Sequence, residues 1–340
     1  MKQSDFAIAT LASHTALQIL KGAKDEGFKS IAICLEGRAE PYTSFKVADE
    51  IIYIKNAEDY FKIEQRLIEQ NAIIIPHGSF VSYLGPERVL DTKAHYYGDK
   101  GILEWESDRT MERKWLLEGA GINMPQVFTD PKEIDRTVIV KFHGAKGGRG
   151  YFLAHSPEEF EERIKDFPDE KEYAIQEYIV GVPIYAHFFY SPLTDELEIM
   201  SFDKRYESNA DSVGRIAAKD QLHVDIQTSY TIVGNVPVVL RESMLPELFE
   251  MGRRVVESSR KLNGVTKGLY GPFCLEMIVD KNLKFWTFEI SARIVAGTNP
   301  YINGSPYSWL RYNEPMSTGR RLARDIKEAI AEGKILDILS

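Results

Sequence analysis

A glycine-rich stretch between two apolar runs most strongly limits the fold of this chain. Residues 138–152 read VIVKFHGAKGGRGYF, so a β-type run ends at Lys141 and a second one begins after four glycines. In Walker and dinucleotide-binding loops the glycines open a helix, whose N-terminus holds the phosphate. Here the chain returns into a strand-like run. This predicts a β-hairpin that folds over phosphates, with Lys146, Gly147 and Gly148 in its loop. A solvated basic hairpin is the alternative, and this stretch alone supports both equally.

A second predicted hairpin, near the C-terminus, carries two facing glutamates. In FCLEMIVDKNLKFWTFEIS (residues 273–291) the letters DKN mark the turn. With the turn centred just after Asn282, Glu276 and Glu289 lie opposite each other on one face of the sheet. Facing like charges are destabilising, and a divalent cation relieves that cost. Mg²⁺ is usually held by one or two carboxylates together with substrate phosphates. A different register, with one glutamate pointing away, is the alternative.

The first third of the chain alternates apolar β-type runs with helical patterns. Strands are predicted over residues 6–10, 30–35, 50–54 and 72–76, and helices over TALQILKGAKDEG and residues 58–70. This βαβ pattern predicts a parallel sheet, which binds ligands beyond the carboxyl ends of its strands. His14 and Thr15 follow the first strand, and His77 to Ser79 follow the fourth. We therefore expect these two polar clusters to hold a small ligand.

The remainder of the chain reads as two further groups of elements. A helix is predicted over residues 108–121, and INMPQVF forms a linker into a new unit. Strands are predicted over residues 173–181, 184–191, 197–203, 272–279 and 284–290, and helices near 243–262 and 317–332. Within the first of these strands, QEYIVG is an extended segment about 35 residues after Lys141. Exposed backbone groups of Gln176, Glu177, Tyr178 and Ile179 would pair with an adenine edge there, although most such segments are ordinary strands.

Composition narrows the class of protein. The 340 residues carry a formal net charge of −9, which disfavours a nucleic-acid binder. Cys34 and Cys274, the only cysteines, sit in apolar runs and are expected to be buried, reduced thiols of a cytoplasmic protein. No apolar segment approaches the roughly 20 residues of a membrane span, and the N-terminus does not read as a signal peptide. Neither nucleic acid nor membrane is therefore an expected partner.

These motifs follow one another in an order that resembles a known family. Basic hairpin, extended segment and facing carboxylates, over about 150 residues, resemble the ATP-grasp fold. Five further blocks resemble the archaeal 5-formaminoimidazole-4-carboxamide ribonucleotide synthetases: IATLASHTALQILKGAKDEGFKSI, IIIPHGSFVSYLG, RYESNADSVGRI, VGNVPVVLRESMLP and FEISARIVAGTNPYINGSPYS. The resemblance implies an α/β and α+β fold. It consists of a Rossmann-like pre-ATP-grasp domain (1–122), an ATP-grasp small subdomain (123–182) and a C-terminal subdomain with the metal site (183–340).

The resemblance also implies an activity. Members use ATP and formate to convert the 5-amino group of 5-aminoimidazole-4-carboxamide ribonucleotide (AICAR) to a formamide (FAICAR), yielding ADP and phosphate in purine biosynthesis. The expected partners are therefore AICAR, formate and ATP with Mg²⁺ or Mn²⁺, in a cytoplasmic homo-oligomer. Two alternatives stay open: a paralogous ligase that uses another acid, and a non-catalytic regulator that binds AICAR and ATP.

Site residues divide by the ligand that they would contact. The resemblance implies that His14, Ser79 and Asn235 contact AICAR, that Lys141, Glu207 and Gln176 to Ile179 contact ATP, and that Glu276 and Glu289 hold the metal. From the residues themselves we add Thr15 and Arg215 as anion contacts and Arg293 as the cation at the tetrahedral oxyanion. Four of these residues also have a structural alternative. His14 would be a buried structural histidine, Asn235 a turn residue and Arg215 a surface residue, and Arg293 would form a salt bridge that orders the metal carboxylates.

Overall fold

A five-stranded parallel sheet forms from the first hundred residues in the structure, a computed structural model that describes residues 2–142, 151–168, 172–224 and 230–340. The strands are β1 (Ala7–Leu11), β2 (Lys29–Leu35), β3 (Glu50–Ile54), β4 (Ala72–Ile74) and β5 (His95–Tyr96), in the order β3-β2-β1-β4-β5. They are connected by α1 (Ala16–Asp25), α2 (Glu40–Ser44), α3 (Tyr60–Glu69), α4 (Gly78–Leu84) and α5 (Pro86–Leu90). The winding direction reverses between β1 and β4, and sheets of this type bind ligands at that crevice.

A four-stranded antiparallel sheet follows. Its strands are β6 (Val127–Phe128), β7 (Val138–Phe142), β8 (Tyr151–Ala154) and β9 (Tyr173–Glu177), in the order β6-β9-β7-β8. Because β7 and β8 pair antiparallel, with Lys141 opposite Tyr151, the predicted hairpin around the glycine-rich stretch is confirmed. Helix α8 (Pro157–Arg163) covers this sheet, and Phe142, Phe152 and Phe160 form the centre of its separate apolar core.

The third sheet is antiparallel and also five-stranded. Its strands are β10 (Gly181–Ser191), β11 (Glu196–Ser208), β12 (Tyr230–Val238), β13 (Gly271–Asp280) and β14 (Phe285–Ser291), in the order β12-β11-β10-β13-β14. The single strand predicted over 173–181 is wrong in part, because β9 ends at Glu177 and β10 begins at Gly181. Strand β12 was not predicted. Its sequence VGNVPVV contains proline, which an edge strand tolerates because one row of its N–H groups has no ladder partner.

The remaining helices join the sheets. They are α6 (Ile102–Ser107), α7 (Arg109–Arg113) with a π-helix over Lys114–Gly119, α9 (Ala218–Gln221), α10 (Leu245–Ser259), α11 (Pro306–Tyr312) and α12 (Thr318–Ala331). The helix predicted over 108–121 is thus a short α-helix, capped by Asp108, that widens into a π-helix. Helix α12 packs closely on α1, and one apolar cluster extends from the parallel sheet into the third sheet. The domain boundary predicted at residue 122 lies between the first two sheets, whereas the one predicted at residue 182 lies inside β10, which begins at Gly181. The division into three domains remains a prediction.

Cys34 and Cys274 are buried and unpaired, as predicted. Among the described residues, no helix combines the length and the apolar character that crossing a membrane requires.

Candidate active site

The two polar clusters of the parallel sheet meet where its winding direction reverses. His14 follows β1 and Ser79 lies in α4, just after β4; the backbone N–H of Ser79 donates to His14 Nε2 at 3.2 Å. Because Nε2 accepts this bond, the ring proton lies on Nδ1, which donates to Thr15 Oγ1 at 2.6 Å. Ser79 Oγ in turn bonds Ser13 Oγ at 2.8 Å. The structure therefore brings His14, Thr15 and Ser79 into one network.

This network is uncharged and conformationally strained. Burial, with a smaller contribution from the Arg293 cation, lowers the pKa of His14 to about 4, so the ring is neutral at pH 7. Its Nε2 lone pair already accepts from Ser79, so the ring is not free to act as a general base. Thr15 adopts a φ of +72°, a left-handed conformation that is unfavourable for a β-branched residue. Strain of this kind concentrates at ligand sites.

His77 supports His14 from below, a role that sequence reasoning missed. Its Nε2–H donates to the Leu11 carbonyl at 2.8 Å, and its ring centroid lies 4.8 Å from that of His14. Burial is the main cause that lowers the pKa of His77 to about 3. The sequence placed His77 in the polar cluster after the fourth strand but gave it no role of its own, since its position beneath His14 depends on β1 and β4 becoming neighbours.

The two glutamates of the C-terminal hairpin face each other as predicted. Glu276 on β13 pairs directly with Glu289 on β14. The reason differs from the predicted one. Nearer the turn Met277 pairs with Thr287, which centres the turn on Asn282 itself, and Phe288 is an extra, bulged residue. Without this bulge, Glu276 would oppose Phe288 and Glu289 would point to the other face.

Each glutamate has an arginine partner. Glu276 Oε1 lies 2.6 Å from Arg205 Nη2, and Glu289 Oε2 lies 3.1 Å from Arg109 Nη2. Glu276 Oε2 is buried, and no hydrogen-bond partner for it exists among the described residues. Burial, reinforced by the Glu289 charge, raises the pKa of Glu276 to about 7. A buried carboxylate oxygen without a partner, opposite a second carboxylate, suits a divalent cation.

Larger clusters of histidine, cysteine or acidic side chains that could hold a metal ion are absent from the part of the chain that the structure describes. There, no group of three or more histidine, cysteine, aspartate or glutamate side chains is placed to hold a metal ion. Two carboxylates alone match the usual mode of Mg²⁺, which completes its coordination with waters and substrate phosphates.

Arg109 was not predicted, yet it connects two elements of the site. Its Nη1 lies 2.9 Å from Glu112 Oε2, while its Nη2 reaches Glu289. Glu112 also accepts the backbone N–H of Ile290 at 2.7 Å, which ties α7 to β14. Burial raises the pKa of Glu112 to about 7 despite the adjacent arginine. Sequence offered no signal, because Arg109 gains its role from the packing of α7 against β14.

A first cavity, of about 450 Å³, opens between the four-stranded sheet and α7. Lys141 Nζ donates to Gln176 Oε1 at 3.0 Å at its edge. The remaining lining combines apolar walls with charged ends: Arg109, Glu112, Arg113, Met124, Val127, Phe142, Ala174, Phe288 and Glu289. Apolar walls with a few polar groups at one end are typical of a nucleotide-base pocket.

The predicted adenine segment needs a correction. The N–H of Glu177 donates to the Gln126 carbonyl at 2.7 Å and that of Tyr178 to the Thr137 carbonyl at 3.0 Å. These two donors are therefore not free to pair with an adenine edge, because β9 and its continuation already use them. Ile179 follows, half-buried. Three other predicted nucleotide contacts, Lys146, Gly147 and Gly148, lie outside the described residues.

A second cavity, of about 580 Å³, lies between the parallel sheet and the third sheet. Its lining includes His14 and Gly78 from the first and Asn235, Arg205 and Glu276 from the other. A third cavity of about 280 Å³ lies beside it, against α6 and α7. Glu289 lines all three cavities. This carboxylate therefore marks the point where ligands in the three spaces would meet.

Asn235 and Arg293 both lie in the second cavity, with partners that differ from expectation. Asn235 is a strand residue of β12 rather than a turn residue, and its Nδ2 donates to Asp203 Oδ2 at 2.7 Å. Arg293 Nη2 lies 2.7 Å from Glu106 Oε1, so the alternative in which it orders the metal carboxylates is wrong. It borders the second and third cavities instead.

Two predicted contacts lie further away. Glu207 lies on β11 at an irregularity in its pairing with β12, between Tyr206 and Ser208, and is half-buried. Arg215 is exposed at the end of a 3₁₀ helix, Asn209–Arg215. Neither of these two residues lines the three cavities described above.

Family models and a curated relative match nearly the whole chain. Two family models match, a protein of unknown function (DUF1246) over residues 8–128 and a domain of unknown function (DUF1297) over residues 154–340. The 5-formaminoimidazole-4-carboxamide-1-(beta)-D-ribofuranosyl 5'-monophosphate synthetase of Pyrococcus abyssi is 56% identical over 340 residues, which cover 98% of each chain.

Solved structures agree. The crystal structure of an IMP biosynthesis protein PurP from Thermococcus kodakaraensis matches with a TM-score of 0.76 and 31% identity, over 98% of this chain and all of its own. The biotin carboxylase domain of the Hydrogenobacter thermophilus 2-oxoglutarate carboxylase, solved with MgADP, matches with a TM-score of 0.64 over 93% of this chain and 69% of its own. At 16% identity it shows a shared fold alone. The predicted Rossmann-like and ATP-grasp architecture is thus confirmed.

Proposed function

This chain belongs to the family of archaeal 5-formaminoimidazole-4-carboxamide ribonucleotide synthetases, and we propose from this premise how its residues carry out the reaction. It is an ATP-dependent carbon–nitrogen ligase that formylates AICAR to FAICAR with formate, releasing ADP and phosphate. The relative named above matches over 98% of this chain and 98% of its own length.

The position of Glu289 is the observation that carries the mechanism. ATP would occupy the first cavity beside Lys141 and Gln176, and AICAR the second. A formate oxygen attacks the γ-phosphorus, the bond to the ADP oxygen breaks, and formyl phosphate forms. The AICAR amine then attacks the formyl carbon, loses a proton, and expels phosphate as the carbon–oxygen bond breaks. The first step brings ATP and formate together and the second brings formyl phosphate and AICAR together, so the three ligands must meet at one point, and Glu289 borders all three cavities.

Glu276 and Glu289 would hold Mg²⁺ at this point. The buried, unpartnered Oε2 of Glu276 supports this assignment, as does the charge that two facing carboxylates accumulate. When bound, the ion neutralises charge on the transferred phosphoryl group, which is the principal requirement of phosphoryl transfer. Arg109 and Lys141 add cations on the nucleotide side of the same point.

The remaining residues position the two weak reactants. The AICAR amine is a poor nucleophile because its lone pair is conjugated. Its orientation therefore matters, and such positioning can lower the reaction barrier by about 7–11 kcal/mol. His14, Thr15 and Ser79 would hold one end of AICAR, and Asn235 would hold the other end. Arg215, which is exposed, would be a further anion contact. Arg293 would stabilise the tetrahedral oxyanion, since it lies between the AICAR cavity and the third cavity. Glu207 would reach ATP from the end of β11.

A component-omission assay tests this function. ADP release is measured with ATP, Mg²⁺, formate and AICAR, leaving out each in turn, and the nucleotide product is identified by mass. We expect ADP and formylated AICAR to appear together only in the complete mixture. ADP release that does not depend on formate would indicate another acid. Binding of AICAR and ATP without any product would indicate a regulator.

A further inference from the structure

A buried hydrogen-bonded chain connects Asn235 to two further residues that line the AICAR cavity. Asp203 Oδ2 accepts from Asn235 Nδ2 at 2.7 Å, and Asp203 Oδ1 lies 2.7 Å from His187 Nε2. Asp203 is 1% and His187 2% exposed, so neither is in contact with bulk water. Gly297 presses on the pair: a Cβ there would lie 2.1 Å from Asp203 Oδ1. The contact restricts rotation of the carboxylate.

The direction of these hydrogen bonds follows from the chemistry of the groups. An ionised carboxylate only accepts, so Asn235 must turn its NH₂ towards Asp203 and His187 must carry its proton on Nε2. The side-chain carbonyl, Oδ1, is then the part of Asn235 that remains for a ligand in the cavity. Asp203 therefore presents Asn235 to the cavity as a hydrogen-bond acceptor.

The sheet order indicates which part of AICAR this acceptor meets. Asn235 lies on β12 and Glu289 on β14, at opposite edges of the sheet and four strand spacings apart, or about 19 Å. The reacting amine must lie towards Glu289, which leaves the neighbouring 4-carboxamide towards Asn235. A phosphate is disfavoured beside Asp203, because both would carry negative charge.

From this arrangement we propose that Asp203 is a specificity-determining residue, which with His187 orients Asn235 to accept from the carboxamide NH₂ of AICAR. A base with a carboxylate at the same position has no donor for Asn235 Oδ1 and adds a charge near Asp203. The enzyme thereby discriminates a carboxamide nucleotide from its carboxylate analogue. The proposal rests on the proposed function, since it concerns the same substrate.

Asp203→Asn gives the sharpest test. The new amide must keep its oxygen towards the Nε2–H of His187, which directs its NH₂ to Asn235 Oδ1. Asn235 then turns its own NH₂ into the cavity and becomes a donor. Affinities for AICAR and for 5-aminoimidazole-4-carboxylate ribonucleotide are measured by titration calorimetry without formate or ATP, so that binding is separated from turnover.

We expect wild-type protein to bind AICAR at least about tenfold more tightly than the carboxylate analogue, and Asp203→Asn to lower this ratio by about tenfold or more. Glu198→Gln is the matched control: it replaces another buried carboxylate of β11, which pairs with Arg321 outside the cavity, and leaves the ratio unchanged. Thermal melts confirm that each variant is folded.

Asn235→Leu provides a second measurement in case Asp203→Asn does not fold. It removes the acceptor, so AICAR affinity falls by about tenfold while affinity for the carboxylate analogue changes less. If AICAR binds but neither substitution alters the ratio, the specificity role is overturned and the proposed function stands. If the wild-type protein does not bind AICAR at all, the proposed function is overturned together with this inference.

Discussion

Glu289 shows how one side chain can serve several ligands. Glu276 faces it across the strand pair, Arg109 binds one of its oxygens, and three cavities end against it. A carboxylate so placed is partly neutralised by its arginine before any ligand is present, which lowers the cost of facing Glu276. Each carboxylate of the pair contacts an arginine in this way, which reduces the repulsion between them without cancelling it, because Arg109 is shared with Glu112.

We expect Glu289→Gln to reduce ADP release by at least about 100-fold, because a neutral amide would hold Mg²⁺ poorly and the charge of the ion is needed at the transferred phosphoryl group. AICAR binding should persist, since Glu289 is only one of many residues that line that cavity. The measurement is steady-state ADP release alongside calorimetric AICAR titration. Glu118→Gln, at an exposed position, is the matched control. Turnover near the wild-type rate would remove Glu289 from the mechanism.

Buried histidines make a second residue-scale prediction, on pH. His77 is fully buried and stays neutral because its folded pKa is lowered to about 3, whereas the unfolded chain protonates it below its ordinary value of 6.5. The unfolded state therefore binds more protons between these values. Stability contributed by neutral His77 is present above pH 6.5 and is lost as the pH falls towards 3.

His77→Gln should flatten this dependence, because glutamine keeps a donor for the Leu11 carbonyl but does not titrate. Between pH 6.5 and 5 we expect the variant to lose about 1–2 kcal/mol less unfolding free energy than the wild type. Urea melts across this range give the measurement. The exposed His223→Gln variant should keep the wild-type slope. Equal slopes for all three proteins would contradict the burial argument.

At the scale of elements, irregularities rather than regular strands and helices place the side chains of the site. The bulge at Phe288 turns Glu289 to the face of Glu276. The π-helix after α7 follows directly on the turn that carries Arg109 and Glu112, and such wide turns are frequent at functional sites. Thr15 holds its left-handed conformation where β1 passes into α1. All three irregularities lie within or next to the cavities.

Helix α1, near the start of the chain, packs closely against α12, near its end. A Cβ on Gly22 would lie 2.4 Å from the backbone of Gly319 and Arg320. We therefore expect Gly22→Ala to lower the unfolding free energy by about 3 kcal/mol, since backbone atoms cannot move aside cheaply. Gly214→Ala is the control, because a Cβ there meets nothing within 4 Å. Denaturant melts that show equal stability would refute this packing constraint.

At the scale of the whole molecule, each ligand would touch more than one sheet. The AICAR cavity is lined by the β1–α1 and α4 segments on one side and by β11, β12 and residues 295–297 on the other. The ATP cavity joins the four-stranded sheet to α7 and β14. Ligand binding therefore couples the stability of the sheets, because a ligand binds only where both walls of its cavity are folded and in place.

Hydrogen exchange followed by mass spectrometry can test this linkage. AICAR should slow exchange in both residues 12–16 and residues 295–299, and ATP with Mg²⁺ should slow it in residues 109–113 and 174–176. The physical reason is that both walls of a cavity lose access to open states when the ligand bridges them. Adenosine with Mg²⁺, which lacks phosphates, is the control for the ATP effect. Protection confined to one wall would contradict the assignment of the AICAR cavity.

Much of this arrangement could be predicted because it is local in sequence. Apolar runs that alternate with helical patterns predicted the parallel sheet, and apolar runs on either side of a turn predicted both hairpins. The clusters after β1 and β4 were expected to share an edge, since parallel strands end together. Predictions failed where the local signal was weak. Strand β12 contains glycine and proline, and the helix expected over 108–121 changes its hydrogen-bonding pattern midway.

The sequence by itself determined the class of chemistry. It did so through a basic glycine-rich hairpin, two carboxylates at strand spacing, and two polar clusters that follow strands. All of these features depend on residues that are neighbours along the chain. Only the tertiary structure decided which groups meet. Arg109 reaches Glu289, His77 supports His14, and Asp203 orients Asn235. These contacts join residues on different elements, and their hydrogen bonds depend on packing and on a one-residue bulge. No periodicity in the sequence encodes the packing of these elements or the position of the bulge.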